Sequence, residues 1–397
     1  MLSTFKRQKT ADACAVAERL NEDIYRHIAK LLRDPQTLSN WQLTCKVSRE
    51  SEAEQMLDWK MEFVYKKLER LIGEKKTKNL RTECLREIYL RNYTMVGDEE
   101  VWAIGEAVKM NASLKSIVLA NNGIGAEGAK HLAQALKKNT SVTKIDLDGN
   151  EIGDEGAKYL ANALEVNTSL TYIDLRYSRI GDEGAKELAQ ALKKNNLLTT
   201  IDLYGNKIRA EGAKHLAQAL KKNTSLTLID LHYNRLGEEG GVAIGEALKN
   251  ASLTNIRLTN CYIRDEGAKA IGQALEVNTS LTIIDLRYNR IGDEGGKAIA
   301  EALKVNKSLL IISLENNEIG DEGGKAIGEA LKVNTLLTTL YLSENKIRDE
   351  GGKAIREALE VNTVLTNISL CYNPMGAEVV RAFNDVELFC DLPYDKL

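Results

Sequence analysis

Histidine and proline are almost missing from this chain, and what they would bring is missing with them. Only four histidines occur, His27, His131, His215 and His232, and the six cysteines (Cys14, Cys45, Cys84, Cys261, Cys371, Cys390) include no CxxC pair. A zinc site and a disulfide framework are therefore not expected, and a reducing compartment is. With 3 Pro in 397 residues and 43% hydrophobic residues, the composition is that of an ordered protein. No charge sign dominates: 54 Lys+Arg stand against 57 Asp+Glu, so there is no global basic field to attract nucleic acid. No stretch of eighteen apolar residues argues for a membrane span, and the opening MLSTFKRQKTADACAVAERL lacks the apolar core of a signal peptide. The expected location is the cytoplasm, with the nucleus or a cytoskeletal assembly as variants.

What the chain has instead is a period. Ile-x-Leu triplets stand at Ile117, Ile145, Ile173, Ile201, Ile229, Ile256, Ile284, Ile312, Leu340 and Ile368, each 28 residues after the last except for one step of 27, where Asn250-Ala251 shortens a connection. A weaker copy, Leu85-x-x-Ile88-Tyr-Leu90, precedes them and makes eleven units over residues 80–382. The triplet has the two-residue alternation of a short strand. The stretch after it, such as Asp154 to Leu164, puts Ala157, Leu160, Ala161 and Leu164 on one helical stripe, with acidic residues opening the helix. One strand and one helix cannot bury both apolar faces alone, whereas stacked copies can.

Read as Leu170-x-x-Ile173-x-Leu175-x-x-Ser178-x-Ile180, the unit resembles the leucine-rich repeat in its long, ribonuclease-inhibitor-like form. The resemblance implies an α/β fold: a curved solenoid of about eleven strand–helix repeats, parallel strands on the concave face and helices outside. Asn122, Asn150, Asn206, Asn234, Asn289, Asn317, Asn345 and Asn373 then form a structural ladder, with Cys261 as a substitution such repeats tolerate and Ser178 as a weaker stand-in. Glycosylation sequons recur at Asn139, Asn167, Asn223, Asn250, Asn278 and Asn306, in phase with the repeat. They are read as helix-ending asparagines in the left-handed conformation rather than glycan acceptors. The Gly-Asp-Glu-Gly runs lack GK[ST] and open on carboxylates, so they are not phosphate loops.

Residues 1–79 do not repeat. Leu20, Ile24, Ile28 and Leu31 lie on an amphipathic helix, Pro35 breaks it, and Leu38, Leu43 and Cys45 follow on a second. This segment resembles an F-box, which implies docking to a Skp-type linker; Asn21 in place of the usual Pro and Ser48 in place of the closing aromatic depart from the pattern. The alternative is a helical cap over the first repeat. Residues 51–73 read as a further helix, so the head is small, all-α and ends at 79. Phe383, Leu388, Phe389 and Leu392, within a terminal cap at 383–397, are expected to close the last repeat.

No catalytic set emerges, and no cofactor or metal site is expected: His131 and His215 sit at equivalent helix positions and His232 lies alone on the inner strand face. Function should be binding of a protein on the concave face. There the columns beside the strand Leu positions carry Asp146, Asp174, Asp202, Asp230, Arg257 and Asp285, then Arg176, His232 and Arg287, with Tyr172, Tyr204 and Tyr233 adjoining. The Asp stripe suits a basic segment of a partner; the competing reading makes Asp a structural feature of the repeat. Three functions fit: a substrate-recruiting adaptor of a cullin-type ubiquitin ligase, a scaffold subunit of a cytoskeletal or axonemal assembly, and a regulator resembling the GTPase activators of Ran.

Overall fold

The computed structural model describes residues 66–70, 73, 85–93 and 96–383, all within the compact unit that runs from Phe63 to Leu397. Among the described residues, a helical stretch at 66–70 precedes eleven strands and eleven helices that alternate from Glu87 on, each strand followed by the helix of the same number. They are β1 (Glu87–Tyr89), α1 (Asp98–Met110), β2 (Ser116–Val118), α2 (Ala126–Leu136), β3 (Lys144–Asp146), α3 (Gly153–Leu164), β4 (Tyr172–Asp174) and α4 (Asp182–Leu192). Next come β5 (Thr200–Asp202), α5 (Ala210–Leu220), β6 (Leu228–Asp230), α6 (Gly237–Leu248), β7 (Asn255–Arg257) and α7 (Arg264–Leu275). The last are β8 (Ile283–Asp285), α8 (Asp293–Val305), β9 (Ile311–Ser313), α9 (Asp321–Val333), β10 (Thr339–Tyr341), α10 (Asp349–Val361), β11 (Asn367–Ser369) and α11 (Ala377–Arg381).

All strands pair in parallel, in chain order, within one open sheet: a curved solenoid, as the period implies. Equivalent aliphatics face each other, Ile145 with Ile173 and Ile201 with Ile229. The short unit keeps this register, since Ile229 still pairs with Ile256. Its missing residue is lost from the connection after α6. Strand Ile and Leu meet the helical stripe (Ala157, Leu160, Ala161 and Leu164 in α3) in a continuous core. Each buried Leu or Ile contributes about 1.5–3 kcal/mol. Leu68 is fully buried at one end of this core and Phe383 at the other.

Side-chain ladders carry the polar backbone between repeats; one is a column of threonine hydroxyls (Thr171 Oγ1 to Thr143 O, Thr199 Oγ1 to Thr171 O), and three others hold the turns and helix ends. The inner one is the expected Asn column: Asn150 Nδ2 donates to the Leu119 and Leu147 carbonyls, both at 2.9 Å, and its Oδ1 accepts from Ile124 N at 3.1 Å. Ser178 reaches Leu147 O only at 3.5 Å, and Cys261 Sγ lies 3.1 Å from Leu231 O, its thiol pushed far up by burial. The residue before each rung is left-handed in every repeat: Asn, Gly, Glu or, at 177, 233, 288 and 372, Tyr.

The second ladder corrects the sequence reading of the sequons. Asn306, Asn334 and Asn362 end their helices with extended backbone, and none of Asn139, Asn167, Asn223, Asn250, Asn278 and Asn306 has a positive φ. Asn139 Nδ2 donates to the Val108 and Asn111 carbonyls at 2.8 Å, while its Oδ1 accepts from Ser141 N and Val142 N at 2.8 Å. Asn195, Asn334 and Asn362 do the same without being sequons, so it is the rung that the repeat maintains.

The third ladder caps helices from the neighbouring repeat. Asp154 Oδ1 accepts from Gly181 N (2.6 Å) and Gly184 N (3.0 Å) at the start of α4, and Asp182, Asp265, Asp293 and Asp321 repeat the pattern. Where the residue at the Asp154 position of the preceding helix is instead Ala126, Ala210 or Glu238, the next helix begins on a left-handed residue: Gly153 (φ 62°), Gly237 (φ 67°) or Arg264 (φ 56°). Cys371 is disulfide-bonded, a single bond where the composition argued against a disulfide framework. No helix among the described residues is long and apolar enough to cross a membrane.

Candidate functional site on the concave face

Each strand aspartate is tied to its own chain. Oδ1 of Asp146, Asp174, Asp202, Asp230 and Asp285 accepts from the backbone N–H two residues on, at 2.9–3.1 Å. That bond draws the carboxylates down onto the sheet. Asp146, Asp174, Asp230 and Asp285 are buried and Asp202 is half-buried. Neighbouring like charges roughly 4.8 Å apart repel by about 3 kcal/mol at a surface-like dielectric, so the cations of the face decide the balance.

Two of them are clamps from the same strand. Arg287 holds Asp285 through Nε (3.0 and 3.1 Å) and Nη2 (2.6 Å). Arg176 holds Asp174 through Nε, 2.9 Å from both oxygens, and Nη2 at 2.7 Å. Arg257 Nη1 lies 3.5 Å from Asp230 Oδ2. His232 joins three strands: Nδ1 is 3.6 Å from Asp230, Nε2 is 3.3 Å from Asp285, and Thr259 Oγ1 is 3.0 Å from Nε2.

Protonation follows this pattern. Burial alone would raise the Asp285 pKa, yet hydrogen bonds from His232 and Arg287 hold it well below the usual range. Asp202 goes the other way, up to about 8, because burial and the neighbouring Asp230 and Asp174 outweigh the Tyr204 backbone bond and Arg176. Burial also lifts Asp148, with Asp174 and Asp146 adding to it.

Aromatic rings border the acids. Tyr172 lies beneath the Lys144 ammonium, 4.9 Å from its ring centre, and burial beside Asp174 and Asp202 raises its hydroxyl pKa. Tyr177, Tyr204 and Tyr233 form a row with centroid spacings of 5.0 and 5.1 Å, and His232 lies 6.0 Å beyond Tyr204. Tyr177 lies on Gly205, where any Cβ would fall 2.5 Å from its ring.

All twelve expected concave-face residues therefore lie on β4–β8 and the turns after them or on β3, and Asp174, Asp202, Asp230, Asp285, Arg176, Arg257, Arg287 and His232 join one electrostatic network. Sequence reasoning left Arg91 unmarked. It donates to Asp148 Oδ2 at 3.0 Å, and its signal was its place in the Arg176 column of the weakest repeat copy. Among the described residues no group of three His, Cys, Asp or Glu could hold a metal ion. The head residues Leu20, Ile24, Ile28, Leu31, Pro35, Leu38, Leu43 and Cys45 lie outside the described residues, as do Leu388, Phe389 and Leu392.

The family described as Leucine Rich repeat matches residues 111–133, 138–161, 166–189, 194–217, 222–245, 249–272, 277–300, 305–328 and 333–355, together more than half of the chain. No curated protein matches it. Among solved structures, Leiomodin-1 Actin-Binding Site 2 (ABS2) is similar at 25% identity and a TM-score of 0.34, over 38% of this chain and 89% of that one. An internalin (inlF) from Listeria monocytogenes str. 4b F2365 is similar at 13% identity and a TM-score of 0.49, over 83% and 95% of the two chains. At these TM-scores neither bears on what this chain binds.

Proposed function

Because the chain belongs to the leucine-rich repeat family, we propose that it is a protein-binding module whose concave strand face seats a Lys/Arg-rich segment of another protein. The observation that carries this is the chemistry of β3–β6, where carboxylates and half-exposed tyrosines lie side by side. Tyr177 is 53% and Tyr233 47% exposed, and both hold left-handed turns that Gly or Asn fill in most other repeats. Left-handed backbone disfavours a bulky side chain, and although these rings pack on Tyr204 their outer faces stay open, which suits an external contact.

We further assign residues 1–79 as an F-box-like head, 80–382 as the recognition array and 383–397 as its cap. In that reading the head holds a Skp-type linker through Leu20, Ile24, Ile28, Leu31, Pro35, Leu38, Leu43 and Cys45. The whole chain then recruits substrates to a cullin-type ubiquitin ligase. Its support is the head's sequence pattern. The test is affinity purification of the full chain from its native cells. Linker and cullin should co-purify, and Ile24→Asp with Leu31→Asp should abolish both while the array melts unchanged. Recovery of filament or axonemal proteins without a linker would replace the adaptor reading with the scaffold one.

A further inference from the structure

Repeats containing β4, β5 and β8 place a carboxylate at one and the same strand position: Asp174, Asp202 and Asp285. In the first and last the chain supplies a guanidinium two residues on, Arg176 or Arg287, which clamps the carboxylate by at least two short bonds. In the β5 repeat that slot holds Tyr204. Asp202 Oδ1 takes the Tyr204 N–H at 3.0 Å, while the nearest cation to Oδ2 is Arg176 Nε at 3.6 Å, a nitrogen already bonded to Asp174.

One guanidinium is therefore shared among three carboxylates, since Arg176 Nη2 also lies 3.6 Å from Asp148 Oδ2. Asp148 is served mainly by Arg91, 3.0 Å from its Oδ2. It is only 6% exposed, and its Oδ1 is buried with no hydrogen-bond donor. An acceptor left bare in that way is costly, and Arg91 and Arg176 both approach the other oxygen. The cluster is one multi-donor cation short.

We infer that an arginine side chain of a protein partner fills this deficit, its guanidinium on Asp202 and its stem against the Tyr177–Tyr204–Tyr233 row. The inference rests on the reading of the concave face as the binding surface and names its chemistry. Arginine fits better than lysine on three counts. The same molecule uses a guanidinium for the equivalent carboxylates of β4 and β8. A planar fork meets two carboxylate oxygens at once. The flat group also lies against tyrosine faces, where an ammonium keeps more of its water. Once Asp202 is satisfied from outside, Arg176 is left to Asp174 and Asp148. The raised proton affinity of Asp202 agrees with this, because an incoming cation displaces that proton.

The test uses the full chain and fluorescein-labelled hexa-arginine and hexa-lysine peptides, followed by anisotropy at low ionic strength and pH 8.5. Hexa-arginine should bind about tenfold more tightly than hexa-lysine. Asp202→Asn should erase most of that difference. Tyr204→Arg, which rebuilds the clamp of the β4 and β8 repeats inside the β5 repeat, should also lose the peptide while raising the melting temperature. Glu322→Gln, on an exposed outer helix, removes the same charge and should change nothing. Equal binding of the two peptides, binding of neither, or full binding by both Asp202→Asn and Tyr204→Arg overturns the inference. Thr200→Trp, a neutral obstruction on β5, separates the levels. Hexa-arginine binding lost there but kept in the other two variants leaves the concave-face reading standing without the arginine slot. Binding kept in all three sinks both.

Discussion

Asp285 and Asp202 occupy one position of the repeat on strands of the same geometry, yet their proton affinities are driven in opposite directions. Both are tucked against the sheet and both accept the backbone N–H two residues on. The difference lies in the side chains that follow: Arg287 after one, Tyr204 after the other. Their neighbours differ as well, since Asp285 is flanked by Arg257 and Ser313 and Asp202 by two more aspartates. In a solenoid the scaffold is nearly constant, so a two-residue spacing decides whether a buried acid stabilises its surroundings or strains them.

The largest effect should come from opening the satisfied site. Arg287→Met leaves Asp285 buried with His232 and one backbone N–H but no guanidinium, and unfolding in urea at pH 7 should show a loss of about 3 kcal/mol. Asp285→Asn, which removes the charge and weakens both bonds, should cost about 2 kcal/mol at pH 7. Its pH dependence has a fixed sign. A carboxyl whose folded pKa is depressed contributes stability above its unfolded value, near 4, and loses it as pH falls through the folded value. Wild type and Asp285→Asn should therefore converge in acid.

Asp202 should give the reverse. Its folded pKa is raised to about 8, so its contribution is complete below about 4 and is lost as pH climbs toward 8. Asp202→Asn should stabilise the chain by about 1 kcal/mol at pH 9, where the aspartate repulsion is unrelieved, and leave melting nearly unchanged at pH 4. A stabilisation independent of pH would mean that packing, not charge, separates the two sites. The smallest change probes the constancy of the scaffold itself. Arg264 is held left-handed where the other two uncapped helices use Gly, and Arg264→Gly should raise stability by about 0.5–1 kcal/mol in the same urea titration.

Much of this was legible in the letters, for a physical reason. A 28-residue period, an Ile-x-Leu strand and an Ala157/Leu160/Ala161/Leu164 stripe are local patterns, and so is the inner rung with its Ser178 and Cys261 substitutes. The second ladder was misread because asparagine has two aptitudes, left-handed backbone and side-chain bonding, and the spacing suits both. The Asp caps escaped notice because Asp154 meets Gly181 and Gly184 only after two helices are stacked. On the concave face the Asp column was plain. Which aspartate goes short was not, because that depends on how Arg176 is divided among strands β3, β4 and β5.

The second ladder also bears on where such a chain can mature. At Asn139, Asn167, Asn223, Asn278 and Asn306 the amide nitrogen that an N-linked glycan would occupy is the one that donates into the neighbouring repeat. A sugar attached during synthesis would remove that donor and wedge a bulky group between stacked repeats. In a compartment with oligosaccharyl transfer, folding and modification would compete for the same nitrogens, and every modified site would leave a break in the stack. Secretion from a glycosylating host should yield aggregated glycoforms, and Asn→Gln changes at these positions would not rescue them, because the longer side chain misplaces the rung as well.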